Sequence, residues 1–85
     1  GYCNPQAYGF IKDVYTKHNL NKYNIKTSNK SIVPTSEIFT HSYKNSKSSY
    51  EILINFNEKD IKKINNKFKV IENKQNCYLI EYLND

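Results

Sequence analysis

The sequence predicts an α+β fold: an antiparallel sheet of four to five strands, with an N-terminal amphipathic helix and a second short helix packed on one face. Three observations carry that expectation. Apolar residues recur at helical spacing from Ala7 to Tyr15, alternate through Ser48 to Phe56, and alternate again from Phe68 to Leu83. One sheet with helices laid against it is the simplest way to bury all of these stripes.

The first helix is expected from Pro5 to His18. Asn4 is suited to cap it, and Pro5 to stand at its first position, where the missing N–H is harmless. Ala7, Phe10, Ile11, Val14 and Tyr15 form its buried stripe, and Gly9 costs it up to about 1 kcal/mol. The chain then turns polar to Ser31, with a short pairing segment expected at Tyr23 and Ile25. Ser31 to Val33 stops at Pro34, which confines it to an edge or a strand start.

Glu37 to Tyr43 alternates, with Phe39, His41 and Tyr43 on one face. After the polar turn Lys44–Lys47, Ser48 to Phe56 is the strongest strand, with Tyr50, Ile52, Ile54 and Phe56 opposing Glu51 and Asn55. These two segments are expected to form an antiparallel hairpin with one wet face. Asn57 caps a second helix running to about Asn66, with Asp60 in its first turn. Ile61 and Ile64 mark its apolar side, and Lys59, Lys62, Lys63 and Lys67 its polar side. The closing hairpin joins Phe68–Glu72 to Cys77–Leu83, with Tyr78, Ile80 and Tyr82 opposing Cys77, Leu79 and Leu83.

The chain has 85 residues, 38% of them hydrophobic, with eight Tyr and four Phe. That is enough for one compact core, so residues 1–85 are expected to form a single domain despite a mean hydropathy of −0.82. No apolar run approaches the roughly 18 residues of a membrane span. No basic start followed by an apolar stretch marks a signal peptide, a pattern that a mature exported chain has lost.

The net charge is +5, and every one of the 13 basic residues is Lys. Lys, Asn, Ile and Tyr share A- and T-rich codons, so an AT-rich genome explains the composition without selection for binding. Without Arg the chain lacks the planar fork that reads guanine or grips phosphate in two places.

Cys3 and Cys77 fit no metal-ligand pair and no redox C-x-x-C pattern. A disulfide between them would close nearly the whole chain. It would be worth roughly 4 kcal/mol on the chain-entropy model and would place the protein in an oxidising compartment. The alternative is two unrelated thiols, Cys77 buried as a small hydrophobe and Cys3 free.

Catalytic motifs are missing. Gly1 and Gly9 are the only glycines, which rules out a Gly-rich phosphate loop. His18 and His41 are the only imidazoles, and no pair of His and Cys has metal-ligand spacing, so no metal or cofactor is expected. His18 is expected at the negative end of the first helix. Asn29-Lys30-Ser31 matches a glycosylation acceptor, a near-chance event in a chain so rich in Asn and Ser.

One constellation stands out: Lys62, Lys63, Lys67 and Lys69 on and after the second helix, within reach of Tyr78 and Tyr82. It suits an acidic partner or RNA, held by phosphate contacts and base stacking. The plainer reading is the solvated side of an amphipathic helix. Two functions follow. One is a small secreted or periplasmic protein-binding domain (an inhibitor, immunity-type or accessory module) acting through a Tyr-containing surface. The alternative is a lysine-mediated RNA-binding protein or a small ribonuclease-like toxin.

Overall fold

The computed structural model describes residues 7–22, 25–30 and 50–83. Helix α1 spans Tyr8–Lys17 and is followed by a 3-10 turn at Leu20–Lys22. Strand β1 is Lys26–Asn29, β2 is Tyr50–Ile54, helix α2 is Glu58–Lys62, β3 is Phe68–Lys74 and β4 is Cys77–Tyr82. The four strands form one sheet in the order β1-β2-β4-β3. The α+β class and the mainly antiparallel sheet are as the sequence predicts.

The β1–β2 ladder departs from that expectation, because it is parallel: Lys26 lies opposite Glu51 and Asn29 opposite Ile54. β2 therefore has β1 on one edge and β4 on the other. The hairpin partner expected at Glu37–Tyr43, and the segment Ser31–Val33, lie outside the described residues. β1 itself reads Lys-Thr-Ser-Asn, with only Ser28 buried, so no apolar alternation announces it.

Period-two alternation sends the core to both faces of the sheet. Ile52 and Ile54 of β2, with Cys77 and Leu79 of β4, pack against Ala7, Phe10 and Val14 at α1. Leu53 of β2, with Tyr78, Ile80 and Tyr82 of β4, packs against Phe56 and Ile61 at α2. The two helices thus stand on opposite faces, and the central strands have no wet face. Glu51, expected to face water, is 1% exposed. Burying each large apolar side chain contributes about 1.5–3 kcal/mol, so two thin cores do the work of one thick one.

α1 starts later than expected. Ala7 is its N-cap, with φ 57 and no side-chain cap, while Asn4 and Pro5 lie outside the described residues. A left-handed alanine costs about 1–2 kcal/mol, which its complete burial against Phe10 helps to offset. Asn19, also left-handed at φ 53, ends the helix. The helix breaks there because Asn tolerates this conformation better than most residues.

The β3–β4 hairpin turns through Gln75 and Asn76, with Lys74 paired to Cys77. A bulge between Val70 and Glu72 interrupts its register. Val70 lies opposite Ile80, on the α2 side, yet Ile71 joins the α1 core and Glu72 reaches α1. The extra residue turns the alternation over and aims Glu72 at the helix.

Candidate functional site

α2 is short, and its position depends on its start. The Asn57 side chain accepts from the Asp60 N–H at 2.9 Å, and an Asp60 carboxylate oxygen accepts from the Asn57 N–H at 3.0 Å. This reciprocal cap satisfies two donors that the helix itself leaves unpaired. Lys30 Nζ, just after β1, donates to both Asp60 oxygens at 2.6 Å. Asp60 is 3% exposed. Burial pushes its carboxyl upward, but the Asn57 N–H and the Lys30 ammonium outweigh that and hold it below the usual value. Ile61 completes the anchor by entering the core.

From this anchored turn Lys59, Lys62 and Lys63 face solvent, and Lys67 follows, also exposed. Lys69 is exposed too, but its Nζ lies 3.3 Å from a Glu81 carboxylate oxygen on β4. Of the lysines named from sequence, Lys62, Lys63 and Lys67 are exposed on or just after α2, as is Lys59, whereas Lys69 pairs with Glu81 on the α1 side of the sheet.

It does not bring the tyrosines to the surface beside them. Tyr78 and Tyr82 are each 7% exposed and belong to the α2-side core. Burial, helped by nearby Glu58, pushes the Tyr78 phenol upward. The Tyr82 hydroxyl donates to Glu51 at 2.5 Å. Neither ring offers an open face on which a base could stack. Sequence alternation put both on one face of β4 but gave no measure of how completely Leu53, Phe56 and Ile61 cover them.

Two carboxyl sites escaped the sequence reading. Glu51 receives the Ser28 hydroxyl at 2.6 Å besides that of Tyr82. Its one sequence signal is a charged residue set between apolar neighbours in the strongest strand. Glu72, beyond the bulge, lies 2.5 Å from Lys17 Nζ and 3.1 Å from His18 Nε2. Hydrogen bonds from Lys17 and then His18 hold its carboxyl below the usual range. His18 does cap the end of α1, as expected, with its ring turned to Glu72.

A cleft of about 630 Å³ opens beside this pair, with Phe10 and Val14 at its base and Asp13, Lys17, Glu72 and Lys74 at its rim. His41, the other imidazole, lies outside the described residues.

Among the described residues no group of three or more His, Cys, Asp or Glu could hold a metal ion. No helix there is long and apolar enough to cross a membrane. Cys77 is completely buried at the start of β4 and is not a free thiol. Cys3 lies outside the described residues. Comparison of the chain with family models, with curated proteins and with solved structures finds no match.

Proposed function

We propose that this chain is a small secreted or periplasmic protein-binding domain, of the inhibitor, immunity or accessory kind, closed by a Cys3–Cys77 disulfide. The observation that carries the reading is the state of Cys77, a buried cysteine that is not a free thiol, in a chain with one other cysteine. Such linkages persist in oxidising compartments, where small domains use them to supplement a limited core.

The tyrosine part of the contact surface shifts. Tyr8 on α1 is 73% exposed, whereas Tyr78 and Tyr82 support the core. Tyr at an interface combines apolar area with a polar tip, and Tyr8 offers both. A lysine-mediated RNA-binding role draws on the same exposed lysines, but it loses its stacking platform with the burial of those two rings.

The test is the intact mass of protein purified without reductant from its native source, together with cell fractionation. The mass is expected to lack two hydrogens, with the protein in the medium or the periplasm. Two alkylatable thiols in a cytosolic fraction would remove the reading.

A further inference from the structure

Lys59, Lys62 and Lys63 span an arc of about 100° on α2 at 3.6 residues per turn, while Asp60 and Ile61 occupy the buried side. Resting on the protein-binding reading, we propose that this lysine face is the contact surface and that its partner is a protein presenting an acidic patch.

The first support is where the acids go. Asp60 is held by Lys30, Glu72 by Lys17 and His18, Glu81 lies against Lys69, and Glu51 is buried with Ser28 and Tyr82. Among the described residues Lys59, Lys62 and Lys63 form no ion pair. Glu58 is the one exposed acid on the helix and Lys63 acts at longer range on Asp60, so the face keeps a net positive charge. AT-rich codons explain how many lysines the chain has. They do not explain three on one open arc of a helix that turns Asp60 inward and leaves Glu58 as its one exposed acid.

The second support is rigidity. The reciprocal cap, the Lys30–Asp60 pair and Ile61 fix the turn that carries the lysines, so less freedom is lost on binding. The third is chemistry. Lysine meets carboxylate as a point charge, and this face has neither the arginine forks nor the open aromatic rings that nucleic-acid surfaces use. Complementary charge of this kind speeds encounter and selects the partner.

The experiment uses the full oxidised chain and two fluorescein-labelled probes of equal length, an oligoglutamate peptide and an oligouridylate, followed by anisotropy at low and physiological salt. Lys59→Gln/Lys62→Gln/Lys63→Gln is compared with Lys12→Gln/Lys69→Gln/Lys74→Gln, which has the same net charge. Exposed ion pairs are individually weak, so the α2 triple is expected to weaken oligoglutamate binding about tenfold and the control triple less than about twofold.

Lys→Arg at the three α2 positions should restore binding, with circular dichroism unchanged throughout. Equal weakening by both triples would mean that net charge alone binds the peptide, which overturns this surface but leaves the protein-binding reading standing. Tighter, α2-dependent binding of oligouridylate would overturn both. No oligoglutamate binding at physiological salt would also remove the surface.

Discussion

Glu51 lies between Ser28 and Tyr82 with 1% of its surface exposed, and its two hydroxyl donors give the residue scale its clearest prediction. Hydrogen bonds to charged or strongly polar partners contribute about 1.5–3 kcal/mol, because a buried acceptor deprived of its donor keeps its desolvation cost. Tyr82→Phe is therefore expected to lower unfolding stability by about 2 kcal/mol in urea titrations without changing the slope. An effect within experimental error would mean that the hydroxyl contributes nothing. Tyr78 makes a different prediction, in pH. Its folded pKa is raised above the ordinary tyrosine value, first by burial and then by Glu58. Its contribution to stability is thus complete below the unfolded pKa and is lost as pH rises through the folded one. Tyr78→Phe should flatten the alkaline limb of a Tm-against-pH curve, a change that an exposed tyrosine would not produce. Little of this was legible from residues alone. Alternation tells which side of the sheet Glu51 and Tyr82 face, but not what lies across from them.

At the scale of elements, α2 and α1 are each tied to the sheet by a carboxylate, and the two ties differ in worth because their burial differs. Asp60 is 5% exposed at its side chain and Lys30 30%, whereas Glu72 is 27% and Lys17 64% exposed. Both carboxyls are held below their ordinary values. Their stabilising effect is therefore present above the unfolded pKa and lost as pH falls through the folded one. Lys30→Met is expected to destabilise measurably, though by less than the roughly 3–5 kcal/mol of a wholly buried pair. Lys17→Met should cost less than Lys30→Met, because solvent screens this exposed pair. Equal losses in denaturant would show that burial is not what separates them. Asn57→Ala should cost about 1 kcal/mol by removing half of the reciprocal cap. The cap and α2 were legible from Asn57 and Asp60 alone, since both partners are local in sequence. The later start of α1 was not, because Ala7 takes a left-handed conformation that its identity disfavours. The bulge was equally hidden, since nothing in Val70-Ile71-Glu72 marks an extra residue.

For the whole molecule, the legible parts are those made of near neighbours: α1, the β3–β4 hairpin and the α2 turn. The parallel pairing of β1 was not legible, because it joins a polar four-residue segment to a strand more than twenty residues later. Parallel neighbours need a long crossover that no local pattern announces. The proposed Cys3–Cys77 link acts at this same scale. Reduction is expected to remove about 4 kcal/mol, read as a lower denaturation midpoint in the presence of reductant. An unchanged midpoint would count against the link. The sheet order carries one more consequence. β4 and β2 are bordered on both edges, and the β3–β4 turn brings their neighbours together quickly, whereas β1 hangs on β2 alone among the described strands. Long loops must close before such a strand earns its contacts. The amides of β1 should thus exchange with deuterium sooner than those of β2 and β4, so that opening begins at the seam where the chain runs alongside itself in the same direction.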